Sequence, residues 1–176
     1  MRREGRMSLH AIVPSLSDNF LQSALQLLID KVKPEDIERI MKDNLSYMQD
    51  RHNMGIRFFE QMAKYAPGFG LLGTLIGLIL LLAQLDNPKS VGPIMSTALI
   101  TTFYGVLLSN LMFLPVAGRL RISSNEEIME KEMVLEGILS IARGESSYII
   151  KEKMLMFLSE KERRTLKTIS KRKAKK

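Results

Sequence analysis

The chain has no cysteine, which excludes disulfide bonds, thiol chemistry and any cysteine-ligated metal. Of its 176 residues only two are histidines, His10 and His52, and neither stands at metal-ligand spacing from another ligand. The scattered serines have no associated motif, so no catalytic residue, metal site or cofactor is expected and no enzyme class is favoured. No segment alternates polar with apolar residues for long enough to be a strand, which leaves an all-α fold. The most telling absence is charge. Gly68 to Leu85 and Gly92 to Gly118 contain no Asp, Glu, Lys, Arg or His.

What fills those two runs is apolar. A bilayer core of roughly 30 Å needs about 20 such residues of helix, so both runs are expected to cross a membrane. The expected fold class is an all-α membrane protein, a two-helix transmembrane hairpin with helical cytoplasmic flanks. Its order is a cytoplasmic segment over 1–64, spans over 65–85 and 91–117, a periplasmic loop over 86–90, a cytoplasmic tail over 118–160 and a basic, disordered tail over 161–176. A loop of that length holds no domain, so both flanks lie on one side. Arg57, Lys64, Arg119 and Arg121 near the membrane, against one acid and one base in the loop, put both termini in the cytoplasm by the positive-inside rule. The net charge of +7 comes from residues 161–176, which carry nine Lys or Arg against the single Glu162. That run suits an anionic inner leaflet. Without an aromatic residue for stacking, it is not read as a nucleic-acid site. The amino-terminal MRREGRMSLH is basic but lacks an apolar core, so the first span is expected to direct insertion.

The flanks carry helical signals. Pro34-Glu35-Asp36 suits a first helical turn, and Ile37, Ile40, Met41, Leu45 and Met48 recur near a 3.6-residue period. This helix is expected to continue into the first span, with or without a break near Gly55. Ser124 and Glu127 have capping-box spacing. An apolar stripe through Ile128, Leu135, Ile138, Leu139 and Ala142 ends at Arg143-Gly144, and a further amphipathic piece runs through Ile149, Ile150, Met154, Phe157 and Leu158.

Within the spans, small residues mark one face of each helix. Gly73 and Gly77 form a GxxxG pair beside Thr74, and Thr97, Thr101, Gly105 and Ser109 recur every four residues. Close backbone approach and interhelical hydroxyl bonds drive helix association in lipid, so Gly73, Gly77, Gly105 and Ser109 are expected to pack the hairpin. The hydroxyl face also fits a polar pathway, with Thr74, Thr101 and Thr102 the best-placed lining residues. A cation carrier needs an ionisable group at depth; here another subunit would have to bring it.

Several motifs resemble the MotA/PomA subunits of the bacterial flagellar stator. Asp50-Arg51-His52-Asn53 followed by Tyr65-Ala66-Pro67-Gly68-Phe69-Gly70-Leu71-Leu72-Gly73-Thr74-Leu75-Ile76-Gly77 is similar to that family's entry into its third transmembrane helix. Leu99-Ile100-Thr101-Thr102-Phe103-Tyr104-Gly105 and Asn110-Leu111-Met112-Phe113-Leu114-Pro115-Val116-Ala117 resemble the fourth. Glu136-Gly137-Ile138-Leu139-Ser140-Ile141 and Gly144-Glu145 resemble the tail. The resemblance implies four transmembrane helices, of which this chain is expected to lack the first two. It further implies a homo-oligomeric ring in a bacterial inner membrane, around a single-span MotB/PomB-like partner whose aspartate carries the ion. Pro67 and Pro115 match prolines implicated in coupling ion flow to movement, and a hinge is compatible with proline's missing hydrogen bond; a plain helix start and stop are the alternative. Arg2 matches a basic residue that faces the flagellar rotor, with His10 where an acid is expected. Thr74 and Thr102 match positions facing the partner's aspartate, and threonine at both resembles sodium-driven members; two hydroxyls could help replace the water around a cation. The resulting expectation is a stator subunit coupling sodium or proton flow to flagellar rotation. An ExbB/TolQ-like energiser of outer-membrane transport and a non-conducting membrane scaffold are the alternatives.

Overall fold

The computed structural model describes residues 13–161, 163 and 164; the expectations for Arg2, for His10 and for the tail beyond residue 164 lie outside the described residues. Every regular element among them is helical. A short 3-10 turn, Val13–Ser15, precedes α1 (Asn19–Ile29), α2 (Pro34–Ala83) and α3 (Pro88–Leu107); a π-helical segment, Leu108–Phe113, then leads into α4 (Leu114–Ala142), and α5 (Ser147–Met156) follows.

Helix α2 begins at Pro34, with Glu35 and Asp36 in its first turn, where a missing N–H costs nothing and negative charge favours the helix dipole. It runs without a break through Gly55 and Pro67, so Pro67 is an interior residue and not a helix start. Pro115 likewise lies inside continuous helix, as the second residue of α4. Ser124 caps nothing, because α4 passes through it. Its hydroxyl instead lies 2.9 Å from Nδ1 of His52, a tertiary partner that overrides the local pattern. The connection between the apolar helices is also shorter than hydropathy implied. Asn87 caps α3 by accepting from the Lys89 N–H at 3.3 Å, and Pro88 occupies the first turn, where proline is tolerated.

Both α2 and the stretch from Pro88 to Ala142 are long and apolar enough to cross a membrane, and only 11% of each most apolar window is buried. A core helix of a water-soluble protein would hide that surface. Here Phe69 is 72% and Ile79 66% exposed, which suits lipid as the solvent.

Two compact units divide the chain, one of Met1–Met48 with Glu126–Lys176 and one of Gln49–Asn125. The first has its own core of Phe20, Ala24, Ile37, Met41, Leu45, Leu135, Ile138 and Leu139, with Ile128 and Ala142 packed against it; of the other flank positions the helical period picked out, Ile40 is exposed and α5 buries none. Helix α4 ends on Gly144 at a φ of +74°, with the Glu145 N–H returning to the Ser140 carbonyl at 3.0 Å; only glycine adopts that turn without strain. Lys153 on α5 then clamps the end, 2.8 Å from Glu145 and 3.0 Å from Glu136. The hydrogen bond to Glu145, then that to Glu136, raises the Lys153 pKa, and the Glu145 carboxyl is held below its usual range.

Asp18 caps α1, accepting from the Phe20 N–H at 3.0 Å, and pairs with Lys131 at 2.8 Å. Burial pushes its carboxyl up, but the Lys131 hydrogen bond, the backbone N–H bonds and the Lys131 charge outweigh it and hold the pKa below the ordinary 3.8. A carboxylate whose pKa is lower in the folded state stabilises fully above its unfolded value, and that stabilisation is lost as pH falls through the folded one. Asp18→Ala is expected to cost about 1–2 kcal/mol at neutral pH. Asp18→Asn keeps a cap but no charge, so its deficit against the unaltered chain should close below pH ~4. Denaturation midpoints of the three proteins against pH check this; a deficit unchanged at low pH contradicts it.

Candidate functional site

The second unit is built on a seam of small residues between α2 and α3. Ala63, Ala66, Gly70, Gly73 and Gly77 alternate steps of three and four along α2, which keeps them on one face. They meet Ala98, Thr101, Thr102, Gly105 and Ser109 in antiparallel order. The closeness of approach is set by what a Cβ would meet. At Gly77 it would stand 2.3 Å from the Ala98 Cβ, at Gly73 2.3 Å from the Thr101 hydroxyl oxygen, and at Gly105 2.6 Å from the Ala66 carbonyl oxygen and 3.1 Å from the Gly70 Cα. Each distance is below van der Waals contact, so these glycines are what lets the two backbones touch.

Hydroxyls fasten the seam. Thr102 Oγ1 donates to the Gly70 carbonyl at 2.9 Å, and Thr101 Oγ1 lies 3.3 Å from the same oxygen and 2.7 Å from the Ala98 carbonyl of its own helix. Ser109 Oγ donates to the Ala63 carbonyl at 2.7 Å. Thr74 behaves differently. Its hydroxyl returns to the Leu71 carbonyl of its own helix at 2.7 Å, and the side chain lines an apolar cavity of about 100 Å³ together with Gly77, Leu81, Met95 and Ala98. Thr97 is exposed and bonds to the Pro93 carbonyl at 3.0 Å, so it does not join the helices. Toward the other end of this unit Arg121 pairs with Glu60, and His52 reaches Ser124. His52 is half-buried.

Thr101 and Thr102 thus lie in the seam with Gly70, Gly73 and Gly105, whereas Thr74 sits at its edge. No Asp, Glu, Lys, Arg or His lies between Gly68 and Leu85 or between Gly92 and Gly118. Among the described residues no three His, Asp or Glu side chains group as a metal site. The residues that sequence reasoning passed over are Ala63, Ala66, Gly70 and Ala98. The three-four alternation continuing N-terminal to Gly73 and Gly77 was the signal for the α2 members.

The model of the MotA/TolQ/ExbB proton channel family matches residues 13–133. The chain belongs to that family. It is 41% identical over 165 residues to Motility protein A of Borreliella burgdorferi, covering 94% of this chain and 64% of that protein. It is 31% identical over 162 residues to Chemotaxis protein PomA of Vibrio alginolyticus, covering 92% of this chain and 63% of that one. Among solved structures it is similar to the flagellar MotAB stator complex from Bacillus subtilis, with a TM-score of 0.84 and 35% identity over 93% of this chain and 65% of that one. The MotAB structure of C. jejuni gives a TM-score of 0.84 at 26% identity, covering 90% of this chain and 62% of that one. The chain therefore spans a little under two thirds of the length of these relatives.

Proposed function

We propose that this chain is the inner hairpin and cytoplasmic flanks of a flagellar stator subunit, coupling cation flow across the bacterial inner membrane to rotation. The observation that carries the reading is the similarity to the B. subtilis stator complex over 93% of the chain at a TM-score of 0.84, which takes in both compact units. The hairpin is suited to be the wall of an ion path. Thr101 and Thr102 each donate a hydroxyl to a carbonyl of the hairpin and keep oxygen lone pairs that suit a partly dehydrated cation, with Thr74 at the edge of the same seam. Sodium or proton is the transported ion, and no other cofactor is assigned. The partner is a MotB/PomB-like single-span protein bearing a carboxylate, inside a homo-oligomeric ring that acts on the rotor. Pro67 and Pro115 are the hinge positions, and no residue is given a catalytic role.

The experiment is co-purification from membranes. A partner with one transmembrane helix and a peptidoglycan-binding domain supports the stator. An ExbD/TolR-like partner would make the chain an energiser of outer-membrane transport, and capture of neither would make it a scaffold. In the proposed orientation both termini are cytoplasmic and the turn between α2 and α3, residues 84–87, faces the periplasm, because Arg57, Lys64, Arg119 and Arg121 flank the spans on one side. A reporter active only in the periplasm should be silent when fused at Lys176 and active in the turn; activity at Lys176 would reverse the orientation.

A further inference from the structure

In an α-helix each backbone N–H donates to the carbonyl four residues back, so an interior proline strips one carbonyl of its donor. Pro67, inside α2, therefore leaves the Ala63 carbonyl without its N–H. A buried carbonyl without a partner is costly, and this one has a replacement: the Ser109 hydroxyl donates to it at 2.7 Å, at a residue only 4% exposed. Ser109 lies in the π-helical segment Leu108–Phe113. Pro115 removes the donor for the Leu111 carbonyl by the same rule, and its ring crowds that carbonyl, a recognised cause of local rearrangement in a helix. In the rearranged ladder the Leu114 N–H passes over the usual acceptor and donates to the carbonyl of Ser109, five residues back. Ser109 thus takes part in both defects. Its side chain supplies what Pro67 removed, and its backbone accepts in the ladder that Pro115 distorts.

We propose that Ser109 is a positioning residue that substitutes for the missing N–H of Pro67 and ties the two proline positions into one unit, so that bending at one helix is transmitted to the other. Gly105 permits this. Its lack of a Cβ lets α3 approach the Ala66 carbonyl within one turn of the bond, where a Cβ would stand 2.6 Å away. The link itself rests on geometry alone; only its use in coupling ion flow to movement rests on the stator reading.

If Ser109 were merely a small packing residue, replacing it would have the same effect whatever occupies position 67. The full chain in lipid nanodiscs, with an isotope label on the Ala63 carbonyl, separates the two. Ser109→Ala should lower the unfolding temperature by about 2–4 °C and move the labelled amide band to higher frequency as the carbonyl loses its donor. In a Pro67→Ala background the restored backbone N–H takes that carbonyl, so the same Ser109→Ala change should move neither reading. Equal shifts in both backgrounds, or an unmoved band in the first, overturn the proposal. Should Ser109→Ala fail to fold, a folded double variant supports the link and an unfolded one overturns it.

Discussion

Gly105→Ala is expected to separate the two apolar helices, at a cost at or above the top of the roughly 1–3 kcal/mol typical of overpacking. The added Cβ would stand 2.6 Å from the Ala66 carbonyl oxygen and 3.1 Å from the Gly70 Cα. Both are backbone, so no side-chain rotation relieves the clash and the helices must move apart. Separation would lengthen the Thr102 to Gly70 and Ser109 to Ala63 hydrogen bonds together and leave carbonyls without interhelical donors. Gly73→Ala also clashes, at 2.3 Å with the Thr101 hydroxyl oxygen and at 2.6 Å with the Thr101 Cβ; turning the side chain moves the first and not the second, so this variant too should push the helices apart. Gly118→Ala meets nothing within 4 Å and should be neutral or slightly stabilising through helix propensity. Unfolding of the three variants in the same detergent checks the order. A Gly105→Ala protein as stable as Gly118→Ala would mean that the seam does not hold the hairpin.

The seam also marks how far the sequence could be read. The two spans were legible because charge is expensive in lipid, and charge-free runs of this length leave few alternatives. Gly73, Gly77, Gly105 and Ser109 were legible as packing residues because a membrane helix gains little from large apolar side chains and much from close approach. Gly70 was not singled out, although it receives both threonine hydroxyls, because a lone glycine gives no spacing until the alanines at 63 and 66 are counted with it. Ser124 misled. Its spacing to Glu127 is that of a cap, but continuous helix and a partner at His52 are nonlocal facts. The roles of the threonines were open to the sequence only as alternatives, since a hydroxyl that lines a path and one that pins a neighbouring carbonyl look the same until the partner atom is located. The break between the helices lies at 84–87 and not at 86–90, because hydropathy reports where lipid would end and not where a helix stops or starts.

In the proposed stator this hairpin forms the wall of an ion path, and a partner supplies the group that carries the ion. The hairpin's charge-free runs contain no Asp, Glu, Lys, Arg or His, and an ion at the bilayer centre without a carboxylate or a water-filled route faces a cost of roughly several kcal/mol. The seam hydroxyls already donate to carbonyls, and the cavity beside Thr74 is apolar and about 100 Å³, too small for a continuous column of water. Purified chain reconstituted in liposomes should therefore leave proton and sodium permeability at background. Adding the single-span partner, together with the two further transmembrane helices that the resemblance implies, should produce flux that Gly105→Ala abolishes. The decisive measurement is cation flux through liposomes holding this chain alone. Background flux is expected; a measurable proton or sodium current without any partner would show that the chain is a self-contained channel and not one wall of a shared path.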